Sequence, residues 1–441
     1  MRRSWLALGA GVPVVIAGAL LVRHTLRAEG PHAPSIAKLS GPAAAAAAIA
    51  PPPPTLHGID LAKLEVKEDR VTTALPDKKV AKLTVDPVLQ KTAHAIMNMH
   101  HLPEAAIVLM DVETGKILVY ASHIEKGPPR DLCVEATAPA ASVFKIVTGS
   151  ALVETAGLTP EQKECYSGGE HSLVERDLVR DPKRDRWCTT LSGAMGRSIN
   201  TVFARLASER LKPAELNATA HTLGFGSSLP FDVAVQPSSI RLPDDQLGYA
   251  RTAAGFWNTT LSPIHATWLS AAIARGGEPV RPVVVAEVDE SNGKATWVAP
   301  MGLAQKRVMK AETAEAVTTM MDATVSDGTS YRAFHDNRGR AFLPGIAVAG
   351  KTGTLTDAVN QRFYTWFTGF APSRPYTLPE GKDGTPPRQV AFAALVVNDP
   401  KWSIKANVLA REVLRAYFAE QKVPSVTMPI TSPPKVANAK K

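Results

Sequence analysis

Apolar and polar positions sort residues 83–420 into helix-like and strand-like blocks. The segment 83–91, Leu-Thr-Val-Asp-Pro-Val-Leu-Gln-Lys, opens a helical block that runs through Met99. Residues 105–112 and 116–122 are β-like runs joined at Thr114-Gly115, a hairpin pattern. From Ser142 to about Ala156 the spacing is helical, with Val143, Ile146, Val147 and Leu152 apolar. Residues 160–190 are polar and lack a clear period. Helical spacing returns over 191–210, with Val202, Phe203 and Leu206 on one face, and again over 213–223, ending at Leu-Gly-Phe-Gly. A helix beginning at Ser262-Pro263 closes at Gly276-Gly277. The stretches 351–354, 364–371 and 390–397 read as successive strands. Residues 407–420 form an amphipathic helix whose stripe is Leu409, Val413, Leu414, Tyr417 and Phe418. No internal repeat is apparent.

The chain ends are different. Met1-Arg2-Arg3 precedes an uncharged run of 18 residues, Trp5 to Val22, followed by Arg23, His24 and Arg27. That length suits a membrane-spanning helix, although Gly9, Gly11 and Pro13 weaken it. A cleaved secretory signal is the alternative. With no small-x-small site just after the run, residues 1–28 are expected to be an uncleaved anchor, with the remainder exported. Residues 29–82 read as a Pro/Ala-rich spacer and a charged lead-in that supplies a strand or packing segment. Residues 83–424 are the expected catalytic domain, and 425–441 a disordered Pro/Lys tail.

Composition changes the picture little. The net charge of +9 is spread along 441 residues, and no aromatic-interleaved basic patch suggests nucleic acid. An anionic wall polymer or lipid suits the charge better. Cys165 and Cys188 flank the polar loop and can pair in an oxidising compartment, leaving Cys133 over, a small buried hydrophobe as readily as a reactive group. No Cys/His spacing resembles a metal site.

The chemistry centres on Ser142-Val-Phe-Lys145. A serine at a helix start meets unpaired N–H groups and a favourable dipole, and a lysine three residues on lies on the same face. If desolvation or a nearby cation lowers the pKa of Lys145, its neutral amine can take the serine proton. The spacing alone is weak, since Ser35-Ile-Ala-Lys38 has it too. Two later motifs add to it: Ser198-Ile199-Asn200, and Lys351-Thr352-Gly353-Thr354 after the apolar run 346–350.

Ser-x-x-Lys, Ser-x-Asn and Lys-Thr-Gly in that order resemble the penicillin-binding protein and serine β-lactamase superfamily. The segments 105–122, 262–277 and Asp327-Gly328-Thr329 add to the likeness, which covers about 83–420. The resemblance implies an α/β (α+β) fold of several subdomains: an antiparallel five-stranded sheet flanked by helices, with an inserted all-helical subdomain. It implies a peptidoglycan D,D-transpeptidase, membrane-anchored and periplasmic, acting on stem peptides and acylated by β-lactams. A membrane glycosyltransferase of wall synthesis is the implied protein partner. Ser142 would be the nucleophile and Lys145 the base. Ser198 would relay a proton to the leaving amine, and Asn200 would bond Lys145 or the substrate amide. Lys351, Thr352 and Thr354 would bind the terminal carboxylate, and Gly353 would admit the substrate strand. The backbone N–H groups of Ser142 and Thr354 would form the oxyanion hole. No cofactor or metal is implied.

Ala141 departs from the family pattern, where glycine often precedes the nucleophile. The stretch 29–82 leaves no room for a glycosyltransferase or a large pedestal domain. Among rival readings, a β-lactamase would need a deacylating base. Glu215-Leu-Asn217 lies only 17 residues past Ser198 in a helical pattern, and reads as a solvated helix residue. A D,D-carboxypeptidase differs only in loops. A β-lactam sensor or a non-catalytic scaffold fits less well with three complete motifs.

Overall fold

The computed structural model describes residues 56–169, 172–375, 386–399 and 402–421. The expected anchor at 1–28, most of the spacer and the tail at 425–441 lie outside these residues. Among the described residues, no helix is long and apolar enough to cross a membrane.

A five-stranded, wholly antiparallel sheet forms the centre, in the order Ala349–Asp357, Arg362–Ala371, Val390–Asn398, Glu104–Asp111, Ile117–Ile124. Strand alternation sends successive side chains to opposite faces. Ala106, Val108 and Met110 join one core, while Ala105, Ile107 and Leu109 join another. Both faces are covered, which is why these strands read as nearly continuous apolar runs. On one face lies Pro263–Ala274, a helix buried almost all round and capped by Ser262, whose hydroxyl accepts the His265 N–H. On the other lie Pro87–Met99 and Ala406–Glu420. The stripe Leu409, Val413, Leu414, Tyr417 and Phe418 is buried there as its spacing predicts.

Three expectations need correction. The span 191–210 is two helices, Leu191–Gly196 and Asn200–Arg210, because Ser198 takes φ +58 between them. The region inserted between the hairpin and the later strands is not all-helical. It holds a ribbon of Lys163–Tyr166 against Trp187–Thr190, closed by a Cys165–Cys188 disulfide, and the pair Val285–Asp289 and Ala295–Val298. Finally, the charged lead-in supplies three strands rather than one, Glu65–Val66, Val71–Ala74 and Val80–Leu83. The last pairs with Val285–Asp289, making a second five-stranded sheet. Its short, charged strands carry too little periodicity to be read in advance.

The ribbon segment is tied to Asn200–Arg210 by a buried ion pair. Arg205 grips both oxygens of Asp185, at 2.6 and 3.1 Å, and this holds the Asp185 carboxyl down at about 2. The pair therefore contributes stability above the ordinary carboxylate range and loses it as pH falls toward 2. Asp185→Ala leaves a buried guanidinium without its counter-charge. It is expected to cost about 3–5 kcal/mol, read from the urea unfolding midpoint.

Candidate active site

The approach to Ser142 is fixed by backbone contacts. The Trp366 indole N–H donates to the Pro139 carbonyl at 2.9 Å, and Ala140 N–H donates to Thr259 O at 3.2 Å. Ala141 sits at φ +50, a conformation that suits glycine and that a side chain adopts at a cost. The departure from glycine noted in the sequence thus falls at a strained position. Ser142 lies in a 3-10 turn, Ala141–Phe144, that leads into the α-helix Lys145–Glu154. Phe144 pins the turn by an edge-on contact with Phe225 at 5.5 Å.

Lys145 is fully buried. Its Nζ lies 2.9 Å from Ser142 Oγ, 2.7 Å from Asn200 Oδ1 and 2.5 Å from the Ala254 carbonyl oxygen. Asn200 reaches it because the break at Ser198 starts a new helix there. The Ala254 carbonyl comes from the end of Gln246–Ala253, where Gly255 turns the chain at φ +80. Asn200 Oδ1 and the carbonyl can only accept hydrogen bonds, whereas the hydroxyl can donate. A neutral amine has two N–H bonds and one lone pair. It satisfies all three neighbours by donating to the two carbonyl oxygens and accepting from Ser142 O–H.

Electrostatics favour that neutral form. Burial holds the Lys145 amine well below the usual lysine range, and the charge of Lys351 pushes it further down. Lys351 is also fully buried, and desolvation lowers it to about 7. Neither amine has a carboxylate partner among the described residues. Lys351 donates to Ser198 Oγ at 3.0 Å and to Thr352 O at 2.9 Å. Ser142, Lys145, Ser198, Asn200 and Lys351 therefore form two lysine-centred clusters coupled by charge.

Lys351, Thr352, Gly353 and Thr354 lie on the edge strand Ala349–Asp357. Gly353 is buried against the nucleophile turn, and a Cβ there would meet the Ala141 Cβ at 3.2 Å and the Trp366 Cβ at 3.1 Å. Close approach of strand and turn requires the glycine. The Thr354 side chain is exposed, and Thr352 Oγ1 lies 2.6 Å from Thr329 Oγ1. Thr329 in turn donates to Gly196 O through its backbone N–H (3.0 Å) and its hydroxyl (3.3 Å), fastening Asp327-Gly328-Thr329 to the turn before Ser198.

Glu215 stands apart from this site chemically: its carboxylate accepts the Lys212 N–H at 2.7 Å and caps the helix Pro213–Thr222. The Ala254 carbonyl and Gly255 were not foreseen. A backbone oxygen has no residue signature, and only the glycine at the end of a helical run marks the place. Phe203, which its spacing places on one helix face with Val202 and Leu206, lies with its ring 5.8 Å from Lys145 Nζ.

The family described as "Penicillin binding protein transpeptidase domain" matches residues 105–378, more than half of the chain. A curated relative, peptidoglycan D,D-transpeptidase PbpA of Mycobacterium tuberculosis (strain CDC 1551 / Oshkosh), is 24% identical over 330 residues, covering 66% of this chain and 64% of the relative. This chain thus aligns with somewhat less than two thirds of that protein's length. Among solved structures, the D,D-transpeptidase domain of a peptidoglycan glycosyltransferase from Eggerthella lenta is similar with TM-score 0.61 and 24% identity, covering 77% of this chain and 83% of that one. An imipenem acyl-enzyme complex of penicillin-binding protein A from M. tuberculosis is similar with TM-score 0.61 and 21% identity, covering 77% and 79%. These structural likenesses concern the fold.

Proposed function

The chain belongs to the penicillin-binding protein transpeptidase family, and we propose that it cross-links peptidoglycan stem peptides through an acyl-enzyme on Ser142. The observation that carries this reading is the fully buried Lys145 amine, whose Nζ lies 2.9 Å from Ser142 Oγ and donates to Asn200 Oδ1 and the Ala254 carbonyl. Ser142 Oγ attacks the carbonyl of a D-alanyl-D-alanine bond while its proton passes to Lys145 Nζ. Backbone N–H groups of Ser142 and Thr354 hold the oxyanion. The C–N bond then breaks, and Ser198, hydrogen-bonded to Lys351, hands its proton to the departing D-alanine amine and takes the replacement from Lys145, which is neutral again. Charged Lys351, with the hydroxyls of Thr352 and Thr354, binds the terminal carboxylate. An amine of a neighbouring stem peptide attacks the ester and gives a proton to Lys145, which returns it to Ser142 Oγ as the ester C–O bond breaks.

The domain works outside the cytoplasm, held to the membrane by residues 1–28. The uncharged run after Arg3 and the Cys165–Cys188 bond support export, since disulfides persist in oxidising compartments.

Intact mass after incubation with a penicillin tests the reaction. A single adduct that persists for hours and is missing from Ser142→Ala is the expected result. Rapid loss of the adduct with turnover of the drug would replace the transpeptidase with a hydrolase. The pH profile of acylation tests the roles of the lysines. The rate rises as Lys145 loses its proton and declines above about 7, where Lys351 loses its own. In Lys351→Ala the cation that depresses Lys145 is gone, so the acid limb should move to higher pH. An unmoved acid limb would remove Lys351 as a charge that depresses Lys145 and leave burial as the cause.

A further inference from the structure

Lys145 depends on acceptors from two separate helices, and both helices are gripped by the same segment, Lys163 to Thr190. We propose that this disulfide-closed segment is a positioning device for the Ser142–Lys145 pair, acting through Thr201, Arg205 and Arg251. The inference rests on the reading of Lys145 as the base that activates Ser142.

The first grip is on the helix that begins with Asn200. Thr201, its next residue, donates from its hydroxyl to Gly168 O at 2.9 Å. Arg205, one turn further, donates to Cys165 O at 3.1 Å and to Asp177 O at 2.5 Å, besides holding Asp185. Arg180 bridges Glu164 on the ribbon (2.6 Å) to Glu209 near the helix end (2.7 Å). The second grip is on Gln246–Ala253. Arg251, three residues before Ala254, donates through Nε and Nη2 to Leu173 O at 3.0 and 2.7 Å. One segment therefore braces the helices that carry Asn200 Oδ1 and the Ala254 carbonyl, and so helps place the two acceptors around Lys145 Nζ. It does so in addition to their direct link through Tyr249, whose hydroxyl donates to Ala207 O at 3.4 Å and Leu211 O at 3.2 Å.

The ribbon itself is four residues on each side. A two-stranded ribbon that short is marginal on its own. Cys165 and Cys188 are directly opposite in register, so the disulfide closes the segment where Arg205 holds it. Around Nζ the facing groups are Ser142, Asn200, the Ala254 carbonyl, the Phe203 ring and, as the charged neighbour, Lys351. Loosening either helix lets water into this pocket and restores part of the amine's solvation, which moves Lys145 back toward its ordinary basicity.

Two variants test the device in the full chain: Arg251→Met, and the double Cys165→Ser with Cys188→Ser. Arg180→Ala serves as a milder variant should either fold poorly. Hydrogen–deuterium exchange read by mass spectrometry should rise in peptides containing Asn200 and Ala254. The acid limb of penicillin acylation should move up by about one pH unit, a tenfold slower reaction below it that recovers at higher pH. Exchange that rises only within 163–190, or acylation that falls equally at every pH, would overturn the proposal and leave the segment a structural brace. A wild-type protein that takes no penicillin would defeat the acylation reading by itself, and the exchange measurement would then decide the positioning claim alone.

Discussion

Lys145→Met is expected to slow acylation of Ser142 by penicillin about 10²- to 10⁴-fold, the usual contribution of a positioned general base. Methionine has nearly the length and flexibility of lysine and suits a buried site. The turn at Ser142 and its contacts with Phe225 and Trp366 should therefore survive, so the loss isolates the amine. Stability is the second readout. Removing the amine takes the Lys145 donor from the Ala254 carbonyl, which costs about 1–3 kcal/mol for a buried polar group. Removing it also ends the burial of a group that is protonated in the unfolded chain. Because the folded-state pKa is lowered, that burial weakens the wild type most at low pH and not at all above the ordinary lysine value. The variant should thus gain on the wild type as pH falls from 10 to 6, by urea denaturation. A variant that keeps wild-type acylation would refute the base, and a pH-independent stability difference would refute the neutral amine.

Gly255→Ala should be nearly as damaging, although residue 255 lies in none of the three motifs. Its φ of +80 disfavours a side chain by about 1–2 kcal/mol. The added Cβ would also stand 2.4 Å from the Ala141 carbonyl oxygen and 2.9 Å from Ser142 Cα. These are backbone atoms of the nucleophile turn, which cannot swing aside as a flexible side chain would. Ala141 is already in a left-handed conformation, so the strain falls on a residue with little room to absorb it. Either Ser142 moves or the carbonyl of Ala254 does, and both set the Lys145 contact. A displacement of about 1 Å costs on the order of 100-fold in rate. We expect that loss in the acylation rate, with a melting temperature lowered by several degrees. Acylation within twofold of wild type would show that the turn tolerates the shift and that its geometry is not rate-setting.

Both predictions turn on features that differ in how far the sequence disclosed them. The hairpin at 104–124 and the later strands were legible as nearly continuous apolar runs because both faces of the sheet are covered, and the terminal helix because its apolar stripe is buried against one layer. The three motifs were legible because their side chains carry distinctive chemistry at short spacing. The lead-in strands were not, since a two- to four-residue strand such as Glu65–Val66 holds only one or two repeats of a period-2 pattern. The break at Ser198 was hidden for a related reason. The apolar periodicity of 191–196 continues in phase through Val202 and Phe203, and nothing local announces that a serine will take positive φ.

From its residues alone, then, the chain determined a run of strands and helices and a serine–lysine pair, which follow from local periodicity and side-chain identity written in order along the chain. That the strands form one covered sheet, and that Ser198, Asn200 and Lys351 belong beside the pair, was implied by the family resemblance. Tertiary structure decided the rest. It brought the Ala254 carbonyl, a backbone atom with no identity in the sequence, to 2.5 Å from Lys145. It buried both lysines away from any described carboxylate and so lowered their pKa values, an effect of desolvation that no spacing encodes. And it joined the ribbon to two distant helices through Arg205 and Arg251, because a guanidinium finds its carbonyl only after the chain has folded around it.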